Sequence, residues 1–113
     1  MTVMGLNENE KVELEVSGDY WQKVVLFVEQ QKSGKFLFTN ERILFYWGKP
    51  EKVTPLISIP YSDIGKVEKV SVGPAFIKFI PTGINITTRN GVVYKLSVLK
   101  RDKYIDFINE KLK

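Results

Sequence analysis

Four carboxylates, Glu8, Glu10, Glu13 and Glu15, crowd one short stretch of this chain and are its first candidates for chemistry. On an extended strand, residues two apart share a face, which places Glu13 and Glu15 about 7 Å apart. Such a pair suits calcium in charge, but calcium draws about six to eight oxygens from a loop, more than this segment offers. A solvated polar face is the reading adopted for all four. A second grouping is basic and aromatic: Trp47 stands beside Lys49 and Lys52, and Lys35 and Arg42 flank other aromatics of the same region. An aromatic next to lysines can anchor a protein at an anionic interface. Short charged turns are the commoner explanation, and that weighting puts Trp47 in the core with the lysines solubilising a turn.

Catalytic groups are scarce. The chain has no histidine and no cysteine, so the usual zinc and copper ligands, the commonest general base and the thiol nucleophile are all missing. No glycine-rich phosphate loop or nucleophile motif occurs. The sequence therefore argues against an enzyme and implies no metal and no cofactor.

The elements that must position these residues are short and extended. Residues 34–47 read GKFLFTNERILFYW, two apolar runs around the polar corner Thr39-Asn40-Glu41-Arg42. Asn40 tolerates a left-handed backbone, so the stretch predicts a β-hairpin. In its second arm Ile43, Phe45 and Trp47 alternate with Arg42, Leu44 and Tyr46, which leaves neither face polar. One face suits a barrel interior, and the other needs a neighbouring segment, a second subunit or a membrane.

Before this hairpin, Val12, Leu14 and Val16 alternate as a strand, Ser17-Gly18-Asp19 predicts a turn, residues 23–29 predict a second strand, and residues 30–34 a connection. After it come a break at residues 48–52, a short strand at 56–59 ended by Pro60, a bend at 62–65, and strands at 66–72, 76–80, 84–88 and 92–98. Asn90-Gly91 predicts a type I′ hairpin. The period then changes: Tyr104, Ile105, Ile108 and Leu112, with Phe107 at the margin, line one stripe of a helix of about three turns. The fold class expected is mainly β with one C-terminal α-helix, an antiparallel barrel or sandwich of about seven strands plugged by that helix. Residues 1–113 read as a single domain, with 1–8 a short polar lead-in.

The run GKFLFTNERILFY resembles the hairpin of bacterial pleckstrin-homology-like domains and of GRAM domains. Ile59-Pro60-Tyr61-Ser62-Asp63-Ile64 is similar to that group's isoleucine-proline step, and residues 83–96 resemble its last hairpin. The resemblance implies the same capped barrel. Tyr61, Asp63 and Ile64 are expected to be structural, with Asp63 capping a bend through its side chain and Ile64 returning to the core. In eukaryotic relatives, basic residues between the first two strands grip a lipid headgroup. The corresponding residues expected here, 17–21, hold one acid and no base, which counts against carrying that ligand over.

Composition narrows the partner classes. With 43% hydrophobic and 27% charged residues, the chain has the make-up of a globular protein and not of a disordered one. The net charge of +4 is split: residues 1–30 carry −4 and residues 31–113 carry +8. A non-enzymatic binding module follows, for protein interaction or self-assembly first, motivated by the two-sided hairpin, Phe76-Ile77 beside Phe79-Ile80, and the charge split. The alternative is an anionic membrane surface met by Trp47, Lys49, Lys52, Lys35 and Arg42. Nucleic acid is disfavoured, because no basic cluster exceeds Lys100-Arg101-Asp102-Lys103 and the RNA-recognition signature is absent. The first residues lack the basic and apolar regions of a secretory signal, so a cytoplasmic location is expected, extending to the inner membrane face.

Overall fold

The computed structural model describes residues 2–25, 28–73 and 80–113. Strands β1 (Val12–Val25), β2 (Val28–Thr39), β3 (Arg42–Tyr46) and β4 (Ile57–Pro60) are followed by a 3-10 turn (Tyr61–Asp63). Strands β5 (Ile64–Val72), β6 (Ile80–Thr88) and β7 (Val93–Val98) and the helix α1 (Arg101–Lys111) complete the chain. The strands form one antiparallel sheet in the order β4-β3-β2-β1-β7-β6-β5. Two meanders, β1 to β4 and β5 to β7, are joined where residues 18–21 pair with residues 95–98. The sheet curls into a half-barrel and α1 packs on its inner face, with Phe38 stacked on Tyr104 at 5.4 Å and edge-on to Phe107 at 5.8 Å.

The expected turn at Ser17-Gly18-Asp19 and the expected connection at residues 30–34 are both wrong. Each lies inside a long strand, β1 of 14 residues and β2 of 12. Gly18 and Gly34 face each other in register, and neither has a positive φ. They are glycine because backbones close in on them: a Cβ on Gly18 would stand 2.6 Å from the Ser97 carbonyl oxygen, and one on Gly34 would overlap the Tyr46 carbonyl. Asp19, read as a turn residue, accepts hydrogen bonds from Gln31 Nε2 and Ser33 Oγ across the ladder. Of the strand expected at 23–29, residues 23–25 end β1 and residues 28–29 begin β2, so the first two strands are not joined at residues 17–21. Leu26 and Phe27 lie outside the described residues, as do Phe76, Ile77 and Phe79 of the strand expected at 76–80.

Two other corners differ in detail. Asn40 does not turn left-handed; the Thr39 hydroxyl makes the turn by accepting from the N–H groups of Glu41 and Arg42, each at 3.0 Å. The β6–β7 hairpin forms as expected, but Gly91 alone has a positive φ, +91°, and Thr88 N–H donates to Val92 O. Its loop is therefore the three-residue Arg89-Asn90-Gly91 with glycine at the left-handed position, and not a type I′ turn. Ile64 is buried and the Tyr61 hydroxyl donates to Thr39 O at 2.8 Å. Asp63 is exposed and contributes its backbone carbonyl, to Arg89 N–H, with no side-chain cap.

The second face of the hairpin is covered from within the chain. Leu37, Leu44 and Tyr46 form a small cluster of their own, packed by Val3, Leu6 and Val53. The Tyr46 hydroxyl donates to Met4 O at 2.7 Å, and Met4 N–H donates to Pro50 O at 2.8 Å. The polar lead-in thus serves as a strap over the sheet's outer face.

Candidate functional site

The strap is held by Glu10, whose carboxylate is closed to solvent. Arg42 grips it with two parallel bonds of 2.9 Å from Nε and Nη2, and the Thr39 hydroxyl donates to it at 2.6 Å. The N–H of Asn7 adds a fourth donor, at 2.9 Å. Burial pushes the Glu10 carboxyl up, and these donors outweigh it and hold the pKa at about 2. The solvated-face reading fails for this residue. Arg42, expected on a partner surface, is engaged with Glu10, Gly5 O and Ser58 Oγ, and its side chain is 15% exposed. Glu13 and Glu15 stay at the surface and pair with Lys111 at 2.6 Å and Lys35 at 4.0 Å.

Trp47 is the opposite case. Expected in the core, it is 55% exposed at the end of β3, because the hairpin's last inward-facing position runs past the strands that would cover it. The ammonium of Lys32 lies 3.6 Å from its ring centroid. Lys32 is a residue the sequence reading missed: it falls on the Phe36 face of β2 by the period of two and is itself buried, but residues 30–34 were read as loop. A cation over an indole contributes about 0.5–2 kcal/mol, more as the pair is desolvated.

On the other side of the sheet a cleft of about 670 Å³ opens between the outer face of the β1–β2 hairpin and residues 48–51. Lys35, Lys49, Ser17 and Ser33 line it together with Glu15 and Glu51. Lys49 and Lys52 are exposed and have no ion-pair partner among the described residues. The structure therefore places Trp47 and Lys32 on the inner-face side of the sheet, puts Lys35 and Lys49 at a cleft on its outer side with Lys52 in the adjoining loop, and sets Arg42 apart.

The remaining perturbed groups are tyrosines. Burial pushes the phenols of Tyr20, Tyr46 and Tyr61 up, Tyr61 furthest, which keeps them neutral and suits them to packing and hydrogen bonding. Among the described residues no group of three acidic side chains converges as a metal site, and no helix is long and apolar enough to cross a membrane.

This geometry has known counterparts. The C-terminal domain of an unknown protein from Leishmania infantum superposes with a TM-score of 0.66 at 19% identity, covering 94% of this chain and 88% of that one. The PH domain of human pleckstrin homology domain-containing protein family A member 5 gives 0.65 at 10% identity, covering 99% and 85%. The Vps36 N-terminal PH domain gives 0.61 at 20%, covering 95% and 82%. At these identities the likeness carries the fold alone. No curated protein matches the chain in sequence. The family profile described as Bacterial PH domain matches residues 6–103, the later part of the strap, the seven strands and the start of α1, and the chain belongs to that family.

Proposed function

We propose that this chain is a non-enzymatic binding module that docks on an anionic membrane surface through Trp47, Lys49 and Lys52. The observation that carries the reading is the exposed Trp47 ring followed in the same loop by Lys49 and Lys52, both exposed and without an ion-pair partner among the described residues. Its indole would sit at headgroup depth while the lysines meet lipid phosphates. Glu15 and Glu51, which line the cleft with Lys49, offset part of the charge, so the docking is weak and salt-sensitive. The test is co-sedimentation with phosphatidylserine-containing vesicles at low and high salt. Binding at low salt that Trp47→Ala abolishes is expected, with Lys49→Ala and Lys52→Ala each weakening it about five-fold, since a lysine near such a surface contributes about 1 kcal/mol. No partitioning at low salt would end the proposal.

A protein contact is the second reading. Its first motive, the two-sided hairpin, is weakened by the strap that covers the outer face. What favours it now is a different set of apolar side chains: Leu99 is 75% exposed and Val93 53%.

A further inference from the structure

Among the described residues, two buried side-chain polar atoms have no hydrogen-bond partner: the indole Nε1 of Trp21 and the carboxamide Oδ1 of Asn85. Both residues line one cleft of about 420 Å³, whose other walls include Tyr20, Glu29, Val93 and Lys95. Their meeting follows from the register. Trp21 is opposite Lys95 across β1 and β7, and Asn85 is opposite the same Lys95 across β6 and β7. The three stand in a row on one face of the sheet. Folded proteins leave few buried polar groups unpaired. A donor and an acceptor without partners, on two residues that line the same cleft, mark the place of a group that supplies an acceptor and a donor together.

The charged groups nearby narrow the choice. Lys95 Nζ pairs with Glu29 Oε2 at 2.7 Å, and both side chains are mostly covered, at 18% and 19% exposure. The ammonium on the cleft wall is therefore already engaged by a carboxylate. Val93 and the Trp21 ring add apolar surface to its mostly polar lining. We propose that this cleft binds a neutral amide, whose carbonyl accepts from Trp21 Nε1 and whose N–H donates to Asn85 Oδ1. The occupant reaches the two atoms by displacing the Lys95 stem, which stands between them in register and is held at its tip by Glu29. The amide comes from the backbone of an extended peptide or from a small carboxamide. The site is separate from the Trp47 surface and does not depend on it.

The test uses the full chain, 15N-labelled and carrying Trp47→Phe, so that Trp21 gives the only indole N–H signal. It is titrated with N-acetyl-trialanine methylamide and, separately, with acetamide. A saturable shift of the Trp21 signal is expected, at least ten-fold weaker in Asn85→Leu. Saturation by the peptide alone assigns a peptide backbone, and saturation by acetamide assigns a small amide. The fully N-methylated tripeptide and N,N-dimethylacetamide keep the carbonyl and lose the N–H, and should bind at least ten-fold more weakly to the unaltered Asn85 protein. No saturable shift with either probe overturns the proposal, and so does equal binding of the N-methylated probes.

Discussion

Closed to water, Glu10 keeps its charge through Arg42, the Thr39 hydroxyl and the Asn7 N–H, and this one constellation ties strap, corner and sheet together. Glu10→Gln should cost about 3–5 kcal/mol in urea unfolding, because Arg42 is left without its partner. The pH dependence has a definite sign. With a folded pKa of about 2 against 4.5 for the unreacted group, Glu10 adds stability above pH 4.5 that is lost as pH falls toward 2. At 1.36 kcal/mol per unit this amounts to about 3 kcal/mol. Stability curves of wild type and Glu10→Gln should therefore converge across that window, and parallel curves would refute the assignment. None of this was legible beforehand, since Arg42 is 32 positions from Glu10 and a polar lead-in looks solvated. Gly34 teaches the same lesson: Gly34→Ala should destabilise by 3 kcal/mol or more on the order of a severe overpacking, because its Cβ would overlap the Tyr46 carbonyl, whereas a loop glycine would tolerate the change.

Elements with strong periodicity were readable. The stripe of α1 buries Tyr104 and Ile108 and half-buries Ile105 and Phe107, as its spacing implied, while Leu112 at the end is 38% exposed. Lys69–Asp102 at 2.8 Å and Lys111–Glu13 at 2.6 Å pin the two ends of the helix to β5 and β1, with the acidic residue in the first turn and the basic one in the last, as the helix dipole favours. Ile108→Ala should cost about 2–5 kcal/mol by thermal or urea melts. The strap is the element that periodicity could not find, because Val3 and Leu6 are isolated apolar residues in polar sequence. Leu6→Asp should loosen it, lower stability by about 1–2 kcal/mol and raise binding of a hydrophobic dye as Leu37 and Leu44 are uncovered; an unchanged dye signal would show the strap to be passive.

At the scale of the whole molecule, covering Leu37, Leu44 and Tyr46 within the chain removes an apolar face that could drive self-association. Light scattering after gel filtration should give the mass of one chain, 13.0 kDa, and a higher mass for Leu6→Asp. A stable oligomer of the unaltered protein would instead favour the protein-contact reading. By itself, the order of amino acids determined the class of fold: the period of two along the strands, the change to a helical period after residue 100, and the absence of histidine and cysteine are local facts that need no knowledge of neighbours. Only the tertiary structure decided how long the strands are, which glycines mark close approach instead of turns, that Glu10 is buried and Trp47 exposed, and that Trp21 and Asn85 share a cleft. Each of those depends on what stands across the sheet, many residues away, and burial and charge are set by such neighbours and not by position along the chain.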